Sequence, residues 1–248
     1  CHMELTGRGV LITGGSRTGS AIALALASAG ADVALSYNSS KESIEQIADS
    51  VFETGQRAIV IKGDLSRSKD CVRLVHEAAR GLGRLDILVN MASVYTRKAY
   101  DQLREADWDD GLAVDLKACF LCAQIAVAYM RSCGGGRIVN FTDWIAASGR
   151  PRYMGFLPYY VAKCGVIALT EALALELAED GILVNAVALG PISPPEDFDR
   201  TDRTAVEQAT PLGRWGGDKA LVQAVRTLIK TDFMTGETIR VDGGRHLR

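Results

Sequence analysis

A tyrosine and a lysine one helical turn apart, Tyr159 and Lys163, are the residues whose types and spacing are best suited to chemistry. They open a stretch rich in alanine and leucine, typical of a long helix, and an i, i+4 spacing brings both side chains to one face. An ammonium beside a phenol favours the phenolate and lowers the pKa of the tyrosine. The pair therefore predicts a proton donor that works near neutral pH, although the spacing alone is common in helices without such a role.

A glycine-rich turn follows the first predicted strand and precedes the first predicted helix, over residues 13–20 (TGGSRTGS). Glycines let the backbone approach a ligand closely, and the N–H groups of a helix N-terminus bind phosphate. The turn therefore favours a dinucleotide pyrophosphate site, and a tight turn without a ligand is the alternative. The contacts predicted here are Gly14, Ser16, Arg17, Thr18 and Gly19.

No acidic residue stands at the end of the second predicted strand. Proteins of this kind that select NAD usually place an aspartate or glutamate there to bind the ribose 2′-hydroxyl. The residues present are Tyr37, Asn38, Ser39 and Ser40, and Arg17 is expected nearby. Hydroxyl, amide and guanidinium donors suit a 2′-phosphate, so the sequence predicts NADP(H) as cofactor, with a polar surface turn as the alternative.

The elements that must position these residues alternate between short apolar strands and longer helices. Predicted strands cover residues 9–13, 32–36, 57–62, 85–90, 137–141, 182–188 and 238–241. Predicted helices cover residues 20–29, 41–53, 66–82, 105–132, 159–179 and 218–229. Residues 190–213 are predicted as a mobile loop, with a short helix inside it as the alternative. Such alternation favours a doubly wound parallel α/β sheet with helices on both faces. We predict a single domain over residues 3–248, and we expect Cys1 and His2 to be a remnant of recombinant expression.

Composition limits the partners and the compartment. The formal net charge is −2 and aromatic residues make up 6% of the chain, which gives no support to a nucleic-acid partner. Apolar runs stay below about 18 residues, so no membrane span is expected. The three histidines and six cysteines are dispersed, so we expect no metal site. Cys119 and Cys122 form a C-x-x-C inside an apolar, helix-like run. Free thiols predict a cytoplasmic protein.

Motifs in a fixed order resemble the short-chain dehydrogenase/reductase family. They are Thr13–Gly19, Asp64-Leu65, Asn90-Met91-Ala92-Ser93, Tyr159 with Lys163, Val184-Asn185 followed by Gly190-Pro191, and residues 241–244 (VDGG). The resemblance implies a Rossmann-type sheet of about seven strands and hydride transfer with NAD(P)(H) on a small-molecule substrate. It also implies a homotetramer formed through the two long helices.

The same resemblance assigns roles to residues. Tyr159 is the proton donor, and Lys163 lowers its pKa and binds the nicotinamide ribose. The main chain of Asn90, Met91 and Ala92 lines the cofactor, as does Gly190. Asp64, with Leu65, could accept a hydrogen bond from adenine, but an aspartate there could equally cap the helix that follows.

The chain departs from the family pattern at several positions. Asp115 stands where the family has a catalytic asparagine that works partly through its main-chain carbonyl. Thr18 and Ser20 stand where the family has glycine. Asp143 replaces the catalytic serine, and an ionised carboxylate only accepts hydrogen bonds and repels a developing oxyanion. Simple ketone reduction is therefore disfavoured unless Asp143 stays protonated.

An aspartate at that position resembles the pteridine reductase branch of the family. Tyr95, close after Asn90, is similar to the ring on which that branch stacks its pterin, and an ordinary aromatic at the rim is the alternative. The main prediction is thus an NADPH-dependent reductase of a C=N or C=O bond in a pterin-like substrate, held by Tyr95, Asp143 and Tyr159. The alternatives are a carbonyl or 3-oxoacyl-thioester (acyl-carrier-protein) reductase and a catalytically inactive NADPH sensor.

Overall fold

Seven parallel strands form one sheet in the order β3-β2-β1-β4-β5-β6-β7. The structure, a computed structural model, describes residues 3–15, 18–195 and 197–248. The strands are β1 (Gly9–Thr13), β2 (Asp32–Tyr37), β3 (Ala58–Lys62), β4 (Ile87–Asn90), β5 (Gly136–Asp143), β6 (Ile182–Leu189) and β7 (Thr238–Val241). The order reverses between β1 and β4, and at such a switch point the carboxyl ends of the strands open a crevice. The predicted doubly wound α/β fold is confirmed.

Helices cover both faces of the sheet. They are α1 (Gly19–Ala27), α2 (Lys41–Glu53), α3 (Ser68–Leu82), α4 (Glu105–Leu112), α5 (Ala118–Ser132), α6 (Trp144–Ala147), α7 (Leu157–Leu177), α8 (Arg200–Gln208) and α9 (Gly217–Lys230). Short 3₁₀ turns span Tyr100–Gln102, Ala178–Asp180 and Arg245–Leu247. The strand and helix bounds follow the sequence predictions closely, and α8 is a short helix inside the segment predicted as a loop, as the alternative for that segment allowed.

Two predicted helices need correction. Helix α3 begins at Ser68 rather than Ser66, because the hydroxyl and N–H of Ser66 both donate to the carboxylate of Asp64. The helix predicted over residues 105–132 is interrupted by a π-helical segment, Ala113–Lys117, between α4 and α5. Such a segment adds one residue to a turn and is frequent at functional sites.

Side chains from alternate positions of each strand enter two separate cores. Val10 and Ile12 of β1 pack with α1, α2 and α9 on one face, while Leu11 packs with α3 and α5 on the other. Successive side chains of a strand point to opposite faces, so a strand covered on both sides must be apolar throughout. Because the two cores hold the strands in place, the strand ends, where the polar motif residues lie, are fixed as well.

The helical stretch Glu105–Ser132 is long and apolar enough to cross a membrane, judged by length and composition. Core helices of soluble proteins meet the same criterion. In this fold Cys122, Ala126 and Met130 of α5 are fully buried in the second core. Cys119 and Cys122 lie within α5, as the sequence predicted, and both thiols are free.

Candidate active site

Tyr159 and Asp143 meet at the carboxyl end of β5. Asp143 is the last residue of β5, and Tyr159 lies in the first turn of α7, which begins at Leu157. The Tyr159 hydroxyl donates to Oδ2 of Asp143 over 2.8 Å. The other carboxyl oxygen, Oδ1, accepts the N–H of Ile145 at 2.8 Å and so caps α6. The sequence predicted both residues, and the fold brings them into direct contact.

Burial raises the pKa of Asp143 above its usual value, although the Ile145 N–H, the Tyr159 hydroxyl and Lys163 oppose the shift. Desolvation disfavours the charged form of a carboxyl. Burial therefore shifts Asp143 toward the neutral acid, the form in which it can donate a hydrogen bond to a carbonyl oxygen.

The predicted effect of Lys163 on Tyr159 is not what this structure shows. Burial, followed by the nearby Asp143, raises the pKa of Tyr159 well above its usual value. The Lys163 ammonium lies 5.5 Å from the centroid of the Tyr159 ring and donates instead to the main-chain oxygen of Phe141 at 3.0 Å. Asp143 and burial thus outweigh the ammonium, so the proton stays on Tyr159.

The side chain of Asp115 forms an ion pair with the Lys163 ammonium. Its Oδ1 lies 3.0 Å from the Lys163 Nζ, and both side chains are almost completely buried. The same carboxylate accepts the hydroxyl of Ser93 and the N–H of Val94, the latter at 3.0 Å. Asp115 sits in the π-helical segment. The resemblance implied a role for its main-chain carbonyl, whereas here its side chain joins the loop after β4 to Lys163.

The glycine-rich turn has the backbone shape that a phosphate site needs. Gly14 and Gly15 have positive φ angles of 69° and 87°, a region that side chains disfavour. A Cβ on Gly14 would come within 2.8 Å of the Ala92 Cα. Thr18 stands at the N-cap of α1 and makes no side-chain capping bond. This part of the turn, with Gly19 opening α1, therefore fits a bound phosphate, while Ser16 and Arg17 lie outside the described residues.

The residues predicted to bind the 2′-phosphate of the ribose lie at the carboxyl end of β2. Tyr37 is half-buried as the last residue of the strand, and Asn38, Ser39 and Ser40 are exposed. Ser40 is the N-cap of α2 but makes no side-chain capping bond. Exposed donors without an acidic neighbour in this run are compatible with a 2′-phosphate.

Asp64 is occupied within its own turn. Its Oδ1 accepts the Ser66 N–H at 3.0 Å and the Ser66 hydroxyl at 2.7 Å, and its Oδ2 lies 3.4 Å from Arg67. Leu65 is buried in the second core. Of the two roles left open by the sequence, these bonds match the structural one, although they order the turn before α3 rather than cap the helix.

The loop after β4 runs against the glycine-rich turn. The Asn90 side-chain amide donates to the side-chain oxygen of Asn140 at 2.9 Å. The Met91 N–H donates to the main-chain oxygen of Thr13 at 3.1 Å. The Asn90 side chain therefore joins β4 to β5, which leaves the main chain up to Ala92 to line the crevice. Farther along the sheet edge, a Cβ on Gly190 would lie 2.4 Å from the Asp242 Cα.

Tyr95 reaches the site but its ring is already partnered. It stacks on Phe156 with 4.3 Å between ring centroids and meets Tyr159 edge-on at 4.8 Å. Burial, with Asp143 contributing, raises the pKa of Tyr95 to about 12. The predicted stacking of a pterin on this ring would have to displace Phe156 or use a different geometry.

Sequence reasoning missed the residues of loop 148–156. Arg152, Tyr153 and Phe156 line the same cavity as Asp143 and Tyr159. They belong to none of the family motifs, so no pattern in the sequence singled them out.

Comparison with known proteins shows which family the chain belongs to. The family model described as enoyl-(acyl carrier protein) reductase matches residues 16–246. The chain is 34% identical over 250 residues to the 3-oxoacyl-[acyl-carrier-protein] reductase FabG of Staphylococcus aureus, covering 99% of this chain and 100% of that protein. It is 33% identical to the 3-oxoacyl-[acyl-carrier-protein] reductase of Synechocystis sp., covering 97% of each.

Solved structures agree. A short-chain dehydrogenase/reductase from Serratia marcescens superposes with a TM-score of 0.90 at 32% identity, covering 98% of this chain and 100% of that one. A blue fluorescent protein from a metagenomic library, solved in complex with NADPH, gives 0.90 at 29% identity, covering 98% and 99%. The names of the relatives favour the alternative prediction, a 3-oxoacyl-thioester reductase, over the pterin-like main prediction. The chain therefore belongs to the short-chain dehydrogenase/reductase family and is an oxidoreductase of that type.

Proposed function

We propose that the protein is an NADPH-dependent carbonyl reductase whose substrates are 3-oxoacyl thioesters. The observation that carries this proposal is the partly buried hydrogen bond between Asp143 and Tyr159. Because Oδ1 of Asp143 already accepts the Ile145 N–H, the proton of the neutral acid belongs on Oδ2, the oxygen that faces Tyr159. A carboxyl O–H there can donate to a substrate carbonyl, as a serine hydroxyl would.

When bound, the nicotinamide cofactor supplies the hydride to the carbonyl carbon. The residues of this chain do the rest. Gly14 gives the backbone room for the diphosphate, and Lys163 is placed to hold ribose hydroxyls. Tyr159 keeps its proton until the carbonyl oxygen gains negative charge, and Asp143 orients that oxygen. The run from Tyr37 to Ser40, without an acid, supports the 2′-phosphate and hence NADPH.

A pterin-like heterocycle is the second candidate, and the specific observation in its favour is the carboxyl at residue 143. Such a group can accept an N–H from a heterocycle or pass a proton to the nitrogen of a C=N bond. The stacking of Tyr95 on Phe156 weakens the case, because the ring proposed to hold the pterin is covered.

A substrate panel separates these candidates. Initial rates with NADPH are measured on a 3-oxoacyl N-acetylcysteamine thioester, a simple ketone and a dihydropterin, and repeated with NADH. The proposal expects the thioester to be reduced fastest and NADPH to be preferred. A faster rate on the pterin would establish the second candidate. NADPH binding by calorimetry with no turnover on any substrate would indicate a sensor instead.

Two variants test the substrate specificity and the cofactor preference directly. Asp143→Ser should retain or increase thioester reduction, because a hydroxyl also donates to the carbonyl, and should lower any pterin reduction. Ser39→Asp should reverse the cofactor preference, because a carboxylate repels the 2′-phosphate and accepts from a 2′-hydroxyl. Unchanged preference in Ser39→Asp would locate the phosphate elsewhere.

A homotetramer is part of the same proposal. Leu175 of α7 is 82% exposed and Phe120 of α5 is 40% exposed, so the two long helices both present apolar side chains to solvent. Burying them against a second copy is favourable. Sedimentation velocity tests this, since Leu175→Glu should shift a tetramer toward smaller species.

A further inference from the structure

We propose that Thr142 is a positioning residue for the reacting pair, because its hydroxyl sets where helix α7 lies along strand β5. The inference rests on the proposed reductase function, since Thr142 acts through Tyr159 and Lys163, but it holds for any substrate that the site reduces. Thr142 is the penultimate residue of β5, directly before Asp143. Its side chain bonds to the backbone of α7 rather than to a reacting group.

Three consecutive residues at the end of β5 each hold a different part of α7. The main-chain oxygen of Phe141 accepts the Lys163 ammonium at 3.0 Å. The Thr142 hydroxyl donates to the main-chain oxygen of Lys163 at 2.7 Å. The Asp143 carboxyl accepts the Tyr159 hydroxyl at 2.8 Å. Of these three bonds, the one from Thr142 is made to the helix backbone, so it holds α7 itself in place.

The bond between Thr142 and Lys163 is shielded from water. The exposed fraction is 2% for Thr142 and 4% for Lys163. A carbonyl oxygen keeps a second lone pair after it accepts its own helix bond, so the added donor does not disturb the helix. A buried hydroxyl is costly to leave without a partner, and the χ1 angle of threonine is stiff. The helix carbonyl therefore has little freedom to move away from Thr142.

A shift of α7 along β5 would displace both functional side chains together. Tyr159 precedes Lys163 by one helical turn, so the helix carries the two on one face. The Tyr159 hydroxyl must stay within hydrogen-bond reach of Asp143 and of the reacting group. A displacement of about 1 Å can cost a factor of about 100 in rate. Thr142 thus affects the rate through the position of the pair.

The proton affinity of Tyr159 reports on this position. Burial, followed by the nearby Asp143, raises the pKa of Tyr159, and the hydrogen bond between the two side chains adds to the rise. If α7 shifts and that bond lengthens, the pKa of Tyr159 falls. The phenol then loses its proton at a lower pH.

Thr170 provides a matched control on the same two elements. Its hydroxyl is fully buried, donates to the Val166 main-chain oxygen at 2.7 Å and accepts the Asn140 side-chain amide at 3.0 Å. A threonine hydroxyl of α7 thus joins this helix to β5 about two turns beyond Lys163. Its removal costs buried hydrogen bonds of the same kind at a distance from the turn that carries Tyr159.

Steady-state kinetics on the substrate that the wild type reduces fastest test the proposal, so the outcome does not depend on the substrate class. Thr142→Val replaces the hydroxyl by a methyl group. It should lower kcat at least about tenfold while KM stays within about twofold, because the loss falls on the transition state. The decline of kcat at alkaline pH should begin at a lower pH. Thr142→Ser keeps the donor and should recover most of kcat.

Thr170→Val should lose stability in chemical denaturation but keep the wild-type kcat and pH profile. An unchanged kcat and pH profile in Thr142→Val overturns the proposal. An equal loss of kcat in Thr170→Val also overturns it, because the effect would then be one of general stability. Thr142→Ala removes the same hydroxyl without adding a methyl group, and it replaces the valine variant if that protein does not fold.

The ionisation of Tyr159 keeps this proposal separable from the proposed reaction. If no substrate is reduced, the ultraviolet difference spectrum between each protein and its Tyr159→Phe counterpart follows phenolate formation during an alkaline titration. Phenolate that forms at a lower pH in Thr142→Val than in the wild type supports the positioning role while the proposed reaction fails. Coincident titration curves refute the positioning role.

Discussion

The ammonium of Lys163 lies 3.0 Å from a carboxylate oxygen of Asp115, and both side chains are buried. This ion pair lies beside Tyr159, and the Asp115 carboxylate partly cancels the effect of the Lys163 ammonium on the phenol. A counter-charge held at this distance attenuates the field that an ammonium exerts on its other neighbours. Burial and Asp143 raise the pKa of Tyr159 most, and the Asp115 carboxylate adds to the same rise.

Asp115→Asn should lower the pKa of Tyr159, because the ammonium then acts on the phenol without a neutralising carboxylate. Reduction requires the protonated phenol, so the decline of activity at alkaline pH should begin at a lower pH than in the wild type. The measurement is kcat/KM against pH in the direction of reduction. Asp110→Asn, an exposed acid in α4, is the control and should leave the profile unchanged. An alkaline limb that does not move in Asp115→Asn would contradict this account.

Lys163→Met should abolish turnover, weaken cofactor binding and destabilise the fold by about 3–5 kcal/mol, because Asp115 is left as an unpaired buried charge. Adding Asp115→Asn should restore much of that stability without restoring turnover. Chemical denaturation of both single variants and the double variant gives the coupling energy. Additive losses would mean that the two side chains do not form an ion pair, and full activity in Lys163→Met would refute the site.

Asp143→Asn should change the pH dependence of stability. Burial raises the pKa of Asp143 in the folded protein, so the folded state holds this proton more tightly than the unfolded chain. The contribution of the carboxyl is then greatest below its ordinary pKa and declines as pH rises toward the raised value. Relative to wild type, Asp143→Asn should therefore gain stability as the pH rises above about 4, the ordinary pKa of the carboxyl.

Asp70→Asn provides a control of opposite sign. The Asp64 N–H, and then Arg73, lower the pKa of Asp70, so its stabilising effect is lost as pH falls. Denaturation midpoints across the pH range should diverge in opposite directions for the two variants. Parallel curves would show that Asp143 is not preferentially neutral in the folded state.

Gly14→Ala should weaken NADPH binding and reduce stability. Its positive φ costs an alanine about 1–2 kcal/mol, and the new methyl group would lie 2.8 Å from the Ala92 Cα. Gly7→Ala is the matched control, because Gly7 has a φ of 71° but nothing within 4 Å of the added Cβ. Both variants should share the strain, and Gly14→Ala alone should lose affinity in a fluorescence titration with NADPH. Equal affinities would remove the turn from the cofactor site.

The sequence was sufficient where local pattern and global fold agree. The central strands were predictable because each is a largely apolar run covered on both faces, while the edge strands β3 and β7 are less buried. Tyr159, Lys163 and Asp143 were predictable because they occupy fixed motif positions. The direction of the pKa shift of Tyr159 was not predictable, since it depends on burial and on the turn of Lys163 toward Asp115 and Phe141. Arg152 was not predictable as a residue of the cavity wall for a related reason, because its position depends on tertiary contacts with the main chain of His246 and Arg248.

The π-helical segment Ala113–Lys117 determines where Asp115 lies relative to Lys163. Each residue of an α-helix advances about 100° around the axis, so the one surplus position rotates everything on α4 relative to α5. Deleting one residue from this segment would restore the regular α-helical hydrogen bonds of the backbone. The same deletion would move the Asp115 side chain away from Lys163. A regular helix and an Asp115 that reaches Lys163 therefore make opposite demands on the same short segment.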